Sequence, residues 1–100
     1  MPAYAVSQIR WEEAHGPERY VKMVQQILKP FGGRYLAFAP ATVVEGSNVP
    51  GAPAYTAIVE FPSLDAAKHF YESEEYGLAR KIRAISAKTD WLVFVDGLNI

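Results

Sequence analysis

Six polar residues carry the chemistry this chain can offer a small molecule: Gln8, Arg34, Glu45, Glu60, Tyr76 and Arg83. An arginine presents paired N–H donors that match a carboxylate or an enolate, and a phenol can hand over a proton. Tyr76 and Arg83 lie seven residues apart, close to two helical turns, so they share one face of a helix. Arg34 opens a strand directly after Gly32-Gly33. Arg34, Tyr76 and Arg83 are therefore expected to line a pocket, with no residue assigned a catalytic role. The competing reading of each is a solvent-facing or structurally paired side chain.

Other chemistries find less support. The sequence has no cysteine, which removes disulfides, thiol catalysis and cysteine-type zinc sites. Its two histidines, His15 and His69, fall in a turn and off an apolar stripe, and a metal would need carboxylates beside them. No metal and no cofactor are expected. Ser63 and Ser73 read as helix caps, and no Gly-x-Ser-x-Gly elbow is present. Gly32-Gly33 follow a helix instead of preceding one, so they read as a helix exit and not as a phosphate cradle.

Net charge is −1, with ten Lys/Arg scattered among eleven Asp/Glu, so no long-range field draws nucleic acid or an anionic membrane. The third strand echoes an RNA-recognition strand, but Pro53 precedes it and Glu60 interrupts it. Neither nucleic acid nor membrane is an expected partner. Residues 1–6 lack the basic segment and apolar run of a secretory signal, and the apolar stretches are strand-sized. A cytoplasmic location is expected.

The elements that must position these residues follow from periodicity and punctuation. One hundred residues predict a single domain, 1–100. Ala3–Trp11 reads as a strand. From Glu18 to Phe31, Tyr20, Val21, Val24, Ile27, Leu28 and Phe31 recur at helical spacing, with Pro17 at the helix start. Arg34–Ala39 is a second strand, resuming at Thr42–Glu45, and Gly46–Pro53 is a loop. Ala54–Phe61 is the third strand. Leu64, Ala67, Phe70 and Tyr71 predict the buried stripe of a short helix, and Leu78, Ile82 and Ile85 that of the next, to about Ala87. Asp90–Asp96 is the last strand.

This β-α-β-β-α-β order predicts an α+β, ferredoxin-like antiparallel sheet with both helices on one face. The other face normally meets water, yet the third and last strands are apolar on both sides. Trp91, Val93 and Val95 oppose Leu92 and Phe94 in the last strand. Monomers avoid so large an apolar patch, so a homodimer through that face is expected.

Phe31-Gly32-Gly33-Arg34, Glu45-Gly46, Ile58–Ser63, Ala66-Ala67 and Phe70–Tyr76 follow one another at spacings that resemble the domain of unknown function 1330 family. Arg83 matches an arginine that the family places about two turns beyond its Glu-Tyr pair. The likeness runs from Tyr4 to Leu98. It departs at His15–Glu18, where the family has an Asp-Pro start, and at Asp96-Gly97, where the family has Glu-Gly. The resemblance implies the dimeric α+β barrel superfamily, which also holds cofactor-free monooxygenases, isomerases and haem enzymes. The expected function is small-molecule binding between sheet and helices. The alternatives are a cofactor-independent monooxygenase or isomerase, and a non-catalytic structural or RNA-binding module.

Overall fold

A computed structural model describes residues 1–46 and 54–98. The chain runs β1 (Ala3–Trp11), α1 (Gly16–Leu28), a 3-10 turn (Lys29–Phe31), β2 (Arg34–Pro40), β3 (Ala54–Phe61), α2 (Leu64–Glu72), α3 (Glu74–Ser86) and β4 (Ala87–Asp96). The strands form one antiparallel sheet in the order β2-β3-β1-β4. This is the ferredoxin-like α+β fold. The predicted continuation of β2 at Thr42–Glu45 is not a strand, and β4 begins three residues before Asp90. Of the predicted 46–53 loop, residues 47–53 lie outside the described residues.

Local chemistry explains the boundaries. Pro17 sits in the first turn of α1, where its missing N–H is not needed. Gly32 takes the left-handed conformation (φ 71°) and its N–H closes the turn on the Lys29 carbonyl. Gly33 has no positive φ. A Cβ there would lie 2.6 Å from Leu28 Cδ2 and 2.9 Å from Phe61 Cε1, so the position needs a bare backbone for close packing. Ser63 Oγ accepts the Ala66 N–H at 3.1 Å, and Ser73 Oγ accepts the Tyr76 N–H at 3.2 Å. Each hydroxyl starts a helix, and Ser73 makes the break between α2 and α3.

Alternation sends Ser7, Ile9, Tyr55, Val59, Phe61, Leu92 and Phe94 toward the helices, where they meet Tyr20, Val24, Leu28, Ala67 and Phe70. Helix α3 departs from the expected pattern. Its predicted apolar stripe is exposed: Leu78 by 62%, Ile82 by 53% and Ile85 by 84%. The face it buries is Tyr76, Ala79 and Arg83. Both sets have helical spacing; α3 turns inward the set whose polar groups find partners on α1. No described helix is long and apolar enough to cross a membrane.

The glycines separate packing from helix propensity. Gly33→Ala should cost about 1–3 kcal/mol through the overlap with Leu28 and Phe61. Gly77→Ala, where a Cβ meets open space within α3, should stabilise by about 0.5–1 kcal/mol. Urea denaturation of both variants checks the pair, and equal effects would contradict the packing.

Candidate functional site

Helices α1 and α3 bring three polar side chains together under the sheet. The phenols of Tyr20 and Tyr76 lie 2.8 Å apart, and Arg83 Nη1 donates to Tyr20 at 2.8 Å and to Tyr76 at 3.0 Å. All three residues are buried, Arg83 to 9% exposure. Ala79 lies one turn before Arg83 on the buried face and lets α3 approach closely. Among the described residues no carboxylate pairs with Arg83.

Counting protons shows what this cluster can do. Each phenol has one O–H and accepts from Arg83, and one of the two donates to the other. One phenol proton is left without an acceptor among the described hydrogen bonds. Both tyrosines line a cavity of about 30 Å³ between sheet and helices, walled by Phe38, Phe70, Tyr71 and Phe94. That volume holds about two waters. Tyr35 and Ser7 are the further hydroxyls in the wall. The described lining offers hydroxyl donors in an aromatic box, with no carboxylate, imidazole or amine.

The electrostatics keep Tyr20 and Arg83 protonated. Burial pushes the Tyr20 phenol far above its ordinary range, reinforced by Tyr76 and opposed by the Arg83 charge. Burial also raises Tyr35. For Arg83 burial works against the charge, yet Tyr20 and Tyr76 outweigh it and the pKa lies above the ordinary arginine value. A neutral phenol polarised by a guanidinium is a strengthened hydrogen-bond donor.

Tyr71 is the exposed member of the described cavity wall. The Arg80 guanidinium lies 4.5 Å from its ring centroid, and Nη1 donates to its hydroxyl. The two side chains tie α2 to α3 beside the cavity wall.

The other candidates stand elsewhere. Arg34 does not join Tyr76 and Arg83: it lies on the opposite sheet face, where Nε donates to Glu60 Oε1 at 2.9 Å. Strand parity and a bulge at Leu36, between Tyr35 and Ala37, set that face. Glu60 is thereby paired, and also accepts from Tyr4 at 3.4 Å. Gln8 donates to Asp90, the extra residue of a bulge in β4, which also takes Arg10. Those hydrogen bonds, Arg10 first and Gln8 second, hold the Asp90 carboxyl below its usual range. Glu45 is exposed beyond β2, and His69 is exposed on α2. Among the described residues no three His, Asp or Glu gather as metal ligands. Tyr20 is the residue that sequence reasoning placed only in the core. A tyrosine in a buried stripe needs a partner for its hydroxyl, and that was its signal.

The family model "Domain of unknown function (DUF1330)" matches residues 2–98, and the chain belongs to that family. No curated protein matches it in sequence. A protein of unknown function from Rhodopseudomonas palustris superposes with TM-score 0.71 at 16% identity, over 99% of this chain and 84% of that one. A dimeric ferredoxin-like protein of unknown function from Thermobifida fusca gives 0.62 at 15% identity, covering 95% and 88%. SnoaB, a cofactor-independent oxygenase from Streptomyces nogalater, gives 0.60 at 11% identity, covering 99% and 95%. These likenesses carry the fold.

A phenol whose pKa rises on folding holds its proton more tightly in the folded chain. Its stabilising contribution is full below about pH 10 and is lost as pH climbs beyond. Tyrosinate absorbance from Tyr20 and Tyr35 should therefore appear only together with loss of helical circular dichroism. Complete ionisation before unfolding would contradict the buried cluster.

Proposed function

We propose that this DUF1330 family member binds a small, largely apolar molecule bearing a carbonyl or enol oxygen in the cavity between sheet and helices. The observation that carries the reading is the uncommitted phenol proton of the Tyr20–Tyr76 pair, backed by Arg83 and facing an aromatic box. A buried donor without an acceptor is costly, and an oxygen on the ligand supplies the acceptor. The cavity must widen to take such a molecule, and Tyr71 is the wall residue positioned to swing out.

Isothermal titration with 1-indanone and with indane, its shape-matched hydrocarbon, tests this. The ketone should bind about tenfold more tightly, the worth of one hydrogen bond in a closed site. Tyr71→Ala should speed association of both compounds. Equal affinities would overturn the reading. SnoaB supports a second reading, a cofactor-independent oxygenase that holds an enolate against the phenols, with Arg83 behind them. Oxygen uptake with an enolisable ketone would favour it over binding alone.

The proposed working form is a homodimer paired through the outer sheet face, in a cytoplasmic setting. Support comes from Trp91, Val93 and Val95, each 41–50% exposed, which continue an apolar band with Val6, Ile58 and Ala37. Arg34–Glu60 and Arg10–Asp90 flank that band as a polar rim. Similar structures are described as dimeric. An interface of about 1,600 Å² would fit the standard class.

Val93→Asp should give a folded monomer in sedimentation, because Val93 is on the outer face. Phe94→Asp should unfold the chain, because Phe94 packs against the core. A dimeric Val93→Asp variant would send the interface elsewhere.

A further inference from the structure

Arg83 has a second side that the inner cavity does not use. Its hydrogen bonds to Tyr20 and Tyr76 both come from Nη1, and Nε and Nη2 have no partner among the described hydrogen bonds. Arg83 also lines an outer groove of about 220 Å³ between α1 and α3, beside Trp11, Gly16, Met23, Ile82 and Ile85. Trp11 is 5% exposed, and its indole N–H is buried with no hydrogen-bond partner. The Trp11 ring lines the groove, with its Cε3–Cζ3 edge against Gly16, and so reports on what occupies it.

The unbalanced charge of this groove favours an anion. Arg83 brings a positive charge with no carboxylate to balance it among the described residues. Gly16 is the first residue of the 13-residue helix α1, whose N-terminus adds partial positive charge. Glu13 and Arg19 also line the groove and pair with each other at 2.8 Å, so they cancel. Tyr20 and Ser86 complete the polar part of the wall, and the rest is apolar. Ile82 and Ile85, exposed on α3, and Met23 on α1 form it.

We propose that this groove is a second site, distinct from the inner cavity, that binds a small aliphatic carboxylate. The carboxylate takes the free N–H groups of Arg83, and its hydrocarbon tail lies over Met23, Ile82 and Ile85, beside the Trp11 ring. Paired, charge-assisted hydrogen bonds to a guanidinium favour a planar carboxylate over a neutral alcohol. The site gives the outward apolar stripe of α3 an occupant, and it rests on groups that the ketone reading leaves unused.

The test is a titration of ¹⁵N-labelled protein with octanoate and, in parallel, with octanol. The chain has two tryptophans, Trp11 and Trp91, so the Trp11 indole peak is assigned by its loss in Trp11→Phe. Octanoate should move that peak saturably as it settles beside the ring, and octanol, which offers Arg83 no carboxylate, should leave it in place. Arg83→Gln should weaken octanoate binding at least about tenfold. Should that variant fail to fold, Ile82→Glu keeps the proposal falsifiable. Its side chain is exposed, and a carboxylate at the groove should weaken octanoate binding while leaving 1-indanone binding unchanged. An indole peak that ignores octanoate, or that responds equally to octanol, would overturn the proposal. Loss of 1-indanone binding alone would count against the inner cavity only.

Discussion

Taking a guanidinium out of water costs several kcal/mol unless its N–H groups find acceptors. Arg83 makes that transfer with two phenol oxygens as its described partners, and the surrounding packing follows from meeting their geometry. Tyr20 must project from α1 and Tyr76 from α3 to within hydrogen-bond reach of one nitrogen. Ala79 leaves room for that approach, and Ser73 breaks the α2–α3 helical run so that α3 can present the required face. An aliphatic stripe that ordinary amphipathicity would bury is turned outward instead. The hydrophobic penalty of exposing Leu78, Ile82 and Ile85 is the counterpart of satisfying one buried charge.

The same cluster divides the molecule's chemistry by face. Under the sheet, a polarised phenol looks into an aromatic box. Across the sheet, the charged groups are paired with each other, Arg34 with Glu60 and Arg10 with Asp90, and surround an apolar band. Paired charges suit a contact surface because they leave no charge to be buried alone. An unpaired arginine suits a binding site. The distinction between the two faces therefore lies in whether the charges are already satisfied, and not in how polar each face is.

Much of this architecture was legible in the residues. Pro17, Gly32, Ser63 and Ser73 act through local geometry, and local geometry is what a sequence states most directly. Tyr76 and Arg83 sharing a face follows from their spacing alone. Arg34 was not legible, because its face depends on strand register and on the bulge at Leu36, which are properties of pairing with β3. The inward face of α3 was ambiguous for another reason. Leu78, Ile82, Ile85 and Tyr76, Ala79, Arg83 obey the same helical period, and hydrophobicity alone selects the first. The hydroxyl of Tyr20 on a different helix decides for the second, and no window of the sequence contains both.

The central claim is that the Tyr20–Tyr76–Arg83 cluster presents one free phenol proton to the cavity. A crystal structure of the protein soaked with 1-indanone measures this most directly. The account predicts the ketone between sheet and helices, Tyr71 displaced, and the ketone oxygen about 2.7–2.8 Å from Tyr20 or Tyr76 Oη. A ketone bound with its oxygen turned away from both phenols, or one bound only outside the cavity, would contradict it.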